Sequence, residues 1–127
     1  MNARILVVDD NPTNLKLVSD VLEFEDYEIF KAVDAEEAQV VLADVLPELI
    51  LMDIGLPGMD GLTLTRQLKA DERTRRIRIV ALTAFAMKGD DQKAFDAGCD
   101  GYITKPINTR SFPDQVAALL SSPPNKR

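Results

Sequence analysis

Four strand-like runs in this chain each end on a residue able to do chemistry. Ile5-Leu6-Val7-Val8 ends on Asp9-Asp10, Leu49-Ile50-Leu51-Met52 on Asp53, Ile79-Val80-Ala81-Leu82 on Thr83, and Gly101-Tyr102-Ile103-Thr104 on Lys105. Turn residues follow Asp53 closely, with Pro57, Gly58 and Gly61 near one another. Carboxylates gathered in one cleft repel, so either some stay protonated or a cation neutralises them. The donors are all oxygens, with no His or Cys beside them. That suits Mg²⁺, which keeps several waters and takes one or two carboxylates plus phosphate oxygens. Lys105 supplies a point positive charge for a phosphoryl group. Thr83 supplies a hydroxyl donor. Together these are the parts for phosphoryl transfer to a carboxylate, with Asp53 as the nucleophile. Each residue also has a plainer use. Asp caps helices and loops, Thr is an ordinary strand residue, and Lys sits on surfaces. The coincidence of all of them at strand ends favours the chemistry.

The elements that must position these residues can be read in order. Leu49 to Met52 is continuously apolar and bounded by turns, the pattern of a strand buried on both faces. Asn11 is the expected N-cap of a first helix, with Pro12 at its first position. Leu15, Val18, Val21 and Leu22 give that helix a buried face. Residues 27–32 have strand composition. Asp34 and Glu37 have capping-box spacing, and Ala38, Val41, Leu42 and Val45 form the stripe of a second helix that runs to Pro47. Asp60-Gly61 opens a third helix, with Leu64 and Leu68 inward. Arg73-Thr74-Arg75-Arg76 is a basic turn. Residues 77–83 form a fourth strand and 84–97 a fourth helix, with Met87, Ala94 and Phe95 inward and Gly98 as its stop. After a fifth strand at 101–104, Phe112, Val116, Leu119 and Leu120 mark a last helix. Pro113 falls inside it, which makes Ser111 the expected N-cap. Residues 1–121 are expected to form one domain and 122–127 a flexible tail. Five strands alternating with five helices over short connections imply an α/β domain with a parallel sheet. In a doubly wound sheet these strand ends converge on one edge.

Composition narrows the functions. A chain of 127 residues suits one domain. A formal net charge of −6 argues against direct binding to nucleic acid or anionic membrane. The single Cys99 excludes an intrachain disulfide, and the absence of His excludes His-based catalysis and His metal sites. No apolar stretch approaches ~18 residues, and the start runs straight into a strand pattern. A cytoplasmic protein is expected.

The strings I-L-V-V-D-D-N, L-I-L-M-D-I-G-L-P-G-M-D-G, A-L-T-A and Y-I-T-K-P occur in that order. Together, over roughly residues 4–120, they resemble the receiver domain of two-component response regulators. The resemblance implies a flavodoxin-like (CheY-like) doubly wound (βα)5 fold, with a five-stranded parallel sheet of order 2-1-3-4-5. It implies that Asp53 is the phosphoacceptor and that Asp9 and Asp10 position Mg²⁺, with Asp10 the usual direct ligand. The Gly55 backbone carbonyl would complete the protein ligands. Thr83, Lys105 and the Ala84 amide would contact the phosphoryl group, Tyr102 would be the aromatic switch, and the Lys105-Pro106 bond would be cis. The stretch Ala84-Phe85-Ala86-Met87-Lys88-Gly89-Asp90 is similar to stand-alone single-domain regulators of the DivK type. Those act in phosphorelays and as adaptors for histidine kinases.

The implied partners are a sensor histidine kinase or a histidine phosphotransfer protein, and a downstream protein on the face of helix 4, strand 5 and helix 5. The implied state is a monomer or weak dimer. No enzyme activity is expected beyond the domain's own phosphoryl transfer and dephosphorylation. Output would come through binding. A haloacid-dehalogenase-type phosphatase would need a second Asp where Gly55 stands. A flavodoxin would need a phosphate loop where Asp9-Asp10-Asn11-Pro12 would repel phosphate. An adaptor of the same fold that ignores phosphorylation is the remaining alternative.

Overall fold

The computed structural model describes residues 3–56, 58–83, 90–105 and 107–121. Expectations on Pro57, on Ala84, Phe85 and Met87, on the Lys105-Pro106 bond and on the 122–127 tail lie outside the described residues. The elements are β1 (Arg4–Val8), α1 (Pro12–Phe24), β2 (Glu28–Ala32), α2 (Ala35–Asp44), β3 (Leu49–Asp53), α3 (Gly61–Ala70), β4 (Arg78–Thr83), α4 (Asp90–Ala97), β5 (Gly101–Thr104) and α5 (Phe112–Ser121). The strands are all parallel in the order β2-β1-β3-β4-β5, as the sequence leads one to expect.

The register follows from burial. Leu6, Val8, Ile50, Met52, Ile79 and Ala81 pack beneath α2, α3 and α4. Ile5, Val7, Leu49, Leu51, Val80 and Leu82 pack beneath α1 and α5. Neighbouring residues thus serve opposite layers, and every position of β3 is buried. Each of these side chains except that of Ala81 contributes roughly 1.5–3 kcal/mol by burial. A one-residue slip would send each set to the wrong layer.

The helix starts are set by caps. Asn11 Oδ1 accepts from the Asn14 N–H at 3.1 Å, with Pro12 at the first position of α1. Asp34 Oδ1 accepts from the Glu37 N–H at 2.8 Å. Glu37 answers with a bond from the Val33 N–H at 2.9 Å, one residue before the cap. Asp60 caps α3 through the Thr63 N–H at 2.8 Å.

Several boundaries differ from the sequence expectation. Tyr27 lies in a turn rather than β2, because Asp26 takes φ 68° and the Tyr27 N–H bonds back to the Leu22 carbonyl. Ile77 likewise belongs to the basic turn, its N–H bonded to the Thr74 carbonyl. The second helix stops at Asp44, well short of Pro47. Val45 is already extended at its C-cap, since proline disfavours helix in the residues leading to it. The last helix starts at Phe112 as expected, with Ser111 at the N-cap position and its carbonyl accepting from the Gln115 N–H at 3.0 Å, but the Ser111 hydroxyl faces the Asn108 carbonyl at 3.5 Å and caps nothing. Asn108 Oδ1 instead accepts from the N–H groups of Arg110 and Ser111, and the Asn108 carbonyl accepts from the Phe112 N–H at 2.8 Å. Pro113 therefore sits in the first turn, where a missing N–H costs little.

Candidate functional site at the C-terminal edge of the sheet

The strand order places β1 beside β3 and β4 beside β5. All four predicted strand ends therefore come to one edge. The Asp9 N–H bonds the Ala32 carbonyl, the Ile54 N–H bonds the Leu82 carbonyl, and the Lys105 N–H bonds the Thr83 carbonyl at 2.7 Å. These bonds hold the chain in line just as it leaves the sheet. The loop after β3 is closed by the Gly61 N–H on the Ile54 carbonyl.

Asp9, Asp10 and Asp53 each present a carboxylate oxygen within 4.8 Å of the others. Their surroundings differ. Asp9 is fully buried. Its Oδ1 accepts from the Asn11 N–H at 2.9 Å, and its Oδ2 accepts from Asn14 Nδ2 and pairs with Lys105 Nζ at 3.0 Å. Asp53 is 7% exposed. Its Oδ1 accepts from the Gly55 N–H at 2.9 Å and its Oδ2 from Lys105 Nζ at 3.2 Å. Asp10 is exposed.

Lys105 thus bridges two of the three carboxylates. Burial of the ammonium works to lower its pKa. The hydrogen bond with Asp9 and the charges of Asp53 and Asp9 outweigh that, and the net direction is upward from the ordinary value. The lysine stays charged at any physiological pH. Among the described residues, one ammonium faces three clustered carboxyl groups, of which Asp10 is the one that meets solvent.

Thr83 is buried at the end of β4. Tyr102 pairs with Ala81 across β4 and β5, and Thr83 is two residues further along β4. Both side chains therefore leave the same face of the sheet. The half-buried Tyr102 ring packs against the core layer of α2, α3 and α4. Gly55 is exposed in the loop, and a Cβ there would meet Asp53 Oδ1 at 3.6 Å, an ordinary contact. Sequence alone does not single out Asn14. Its place on the first turn of α1, five residues after Asp9, is the only signal.

The donors fit a small hard divalent cation: three clustered carboxylates, one of them open to solvent, and no nitrogen or sulfur ligand among them. A fixed ammonium lies beside them. The class these features define is an open parallel α/β domain with an acidic cluster and a lysine gathered at its strand ends.

The sequence profile described as the response regulator receiver domain matches residues 5–117. The chain belongs to that family and is a receiver domain of two-component signalling. It is 41% identical over 120 residues to the polar-differentiation response regulator DivK of Brucella ovis, covering 94% of this chain and 98% of that protein. Among solved structures, a response regulator from Chloroflexus aurantiacus aligns with a TM-score of 0.91 at 30% identity, covering 96% of this chain and all of the other. The receiver domain of a sensor histidine kinase from Pseudomonas aeruginosa aligns at 0.86 and 32% identity, also over 96% of this chain and all of the other. That structure has a magnesium ion coordinated in its active-site cleft. No helix among the described residues is long and apolar enough to cross a membrane.

Proposed function

We propose that this domain is a phosphorylation-operated binding module, with Asp53 as its phosphoacceptor. The observation that carries the reading is the Asp53 carboxylate held between the Gly55 N–H and Lys105, at the rim of an uncompensated acid cluster. The donor is a phosphohistidine on a sensor histidine kinase or a histidine phosphotransfer protein. An Asp53 carboxylate oxygen attacks phosphorus, the P–N bond breaks, and the imidazole leaves with its electron pair and takes up a proton. The product is an acyl phosphate on Asp53.

Asp10, Asp53 and the Gly55 carbonyl would hold Mg²⁺. Asp9, whose oxygens already accept from Asn11, Asn14 and Lys105, would orient the site. Bound there, the ion screens negative charge on phosphoryl oxygens. Lys105 turns from the carboxylate it loses toward the new phosphoryl oxygens, and the Thr83 hydroxyl and the Ala84 amide donate to them. Tyr102 follows Thr83 inward on the shared sheet face. The change is read by a downstream protein on the face of α4, β5 and α5, in a cytoplasmic chain whose receiver unit is residues 1–121. Coupling of this kind is worth roughly 1–3 kcal/mol, a change of about 5- to 150-fold in partner affinity.

The test is intact mass after incubation with Mg²⁺ and acetyl phosphate, beside Asp53→Asn. One added phosphoryl group, absent in the variant and after chelation of Mg²⁺, is the expected outcome. If no adduct forms, and beryllofluoride with Mg²⁺ moves no amide resonance, the phosphorylation-independent adaptor replaces this reading.

A further inference from the structure

Gly61, Thr65 and Lys69 stand four residues apart on α3 and so share one face. At Gly61, a Cβ would lie 2.8 Å from Ile54 Cα and 2.9 Å from Met52 Cγ, and it would collide with the Asp53 carbonyl oxygen. Backbone meets backbone there, so the start of α3 moves only with the Asp53 loop. One turn on, the Thr65 hydroxyl donates to the Gly61 carbonyl at 2.7 Å and is in hydrogen-bond contact with the Cys99 thiol. At the far end, Lys69 Nζ donates to the Ile77 carbonyl at 2.7 Å, to Asp100 Oδ2 at 2.9 Å and to the Arg75 carbonyl at 3.2 Å. Asp100 Oδ2 also accepts from the Ile79 N–H at 2.9 Å. The Asp100 N–H donates to the Ile79 carbonyl at 2.7 Å. The pair is largely shielded, its side chains 15% and 5% exposed. The Lys69 stem covers Gly98, where a Cβ would meet its Cγ at 2.8 Å, and Gly98 takes φ +110°.

We propose that Lys69 and Asp100 form a latch that fixes the 98–100 junction to α3 and β4, so that α4 moves only by pivoting at Gly98. Gly98 takes left-handed backbone, and the Gly98 and Cys99 N–H groups bond back to the Phe95 and Ala94 carbonyls at 3.0 Å, so the last turn of α4 is tied to the latched end and any swing grows toward its earlier turns. Because α3 touches the Asp53 backbone at one end and holds the latch at the other, the pivot keeps its place relative to the site. Lys69 is a positioning residue. It acts through Asp100 and the junction and touches nothing in the acid cluster. The functional meaning of the pivot rests on the phosphorylation reading above, but the latch itself can be tested without it.

Cys99 lies in the latched segment, fully buried, and is the chain's one thiol. Its alkylation by iodoacetamide under native conditions reports opening of the junction. The comparison is wild type against Lys69→Met, Asp100→Asn and Lys69→Arg, each with its global unfolding constant from urea titration. In the Met and Asn variants, Cys99 should label at least about tenfold faster than global unfolding allows. Lys69→Arg keeps the charge and donors and should bring labelling back to within about threefold of wild type. With beryllofluoride and Mg²⁺, wild-type amide resonances at 92–93 should move while those at 98–100 stay. Labelling that merely tracks the global constant in every variant would overturn the latch. So would resonances at 98–100 that move as far as those of α4. Asp100→Asn keeps an acceptor for the Ile79 N–H, so it decides the matter if Lys69→Met does not fold. Beryllofluoride shifts absent everywhere would refute the phosphorylation reading, and the labelling arm would still decide the latch.

Discussion

At the C-terminal edge of the sheet three carboxylates share one lysine. At the N-terminal edge one carboxylate pairs with one lysine, with two backbone carbonyls completing the ammonium's bonds and a backbone N–H on the carboxylate. The residue types are the same, aspartate and lysine, at opposite ends of one sheet. The difference is in the charge count. The lower pair is neutral and its hydrogen bonds are filled, which is how a buried ion pair is made tolerable. The upper cluster keeps surplus negative charge, and a fold does not hold like charges together for stability. Surplus charge marks the place where something from outside is to bind. A balanced pair marks a place where the protein holds itself.

The contrast predicts stability effects of opposite sign. Asp100→Ala strands Lys69 and the Ile79 N–H, and should cost about 3 kcal/mol or more in urea unfolding with the m-value unchanged. A loss near zero would remove the distinction between the two clusters. Asp60→Ala tests the helix that joins them, and loss of its N-cap should cost about 1 kcal/mol at neutral pH. The Thr63 N–H, foremost among several contacts, holds the Asp60 carboxyl below the ordinary carboxylate value. Its contribution is present above the unfolded pKa near 3.8 and is lost as pH falls through the lower folded value. The penalty of the substitution should shrink over that acid range and no other.

Asp10→Asn removes one of the like charges and should stabilise the metal-free protein by a few tenths of a kcal/mol. It should also remove the stabilisation by added Mg²⁺, expected for wild type at about 2.7 kcal/mol at a hundredfold excess over Kd and read as a rise in melting temperature. A destabilised Asp10→Asn would mean the upper cluster is as structural as the lower. At neutral pH the smallest effect belongs to Cys99, and it grows only in alkali. Burial pushes its thiol up to about 11 from an ordinary 9.0. The unfolded chain loses that proton first, so stability should fall by up to roughly 1.4 kcal/mol per pH unit as pH rises from about 9 to about 11. Cys99→Ala should flatten that slope.

The upper site was legible because each of its residues closes a strand. Asp9, Asp53, Thr83 and Lys105 each follow an apolar run, and a parallel sheet sends such ends to one edge. The lower pair gave no comparable sign. Lys69 reads as a solvated lysine at the end of a helix, and Asp100 as a polar residue after Gly98. Only the packing of α3 beside the junction makes them partners 31 residues apart. Asn14 was hidden in the same way, as one more polar residue on an exposed first turn. Two misplaced boundaries share one cause. At Tyr27 and Ile77 the backbone bonds back to the preceding turn, and side-chain pattern does not report where those bonds end.

The bridge from Lys105 to Asp53 spans 52 residues, and that span bears on how the chain is made. Synthesis delivers the N-terminal residues first. Asp9, Asp10 and Asp53 can therefore come together through β1 and β3 while their counter-charge is still inside the ribosome. Until Lys105 emerges, only strand pairing and the bonds from Asn11, Asn14 and Gly55 can hold these carboxylates together. A dissolved cation would then aid assembly of the domain itself.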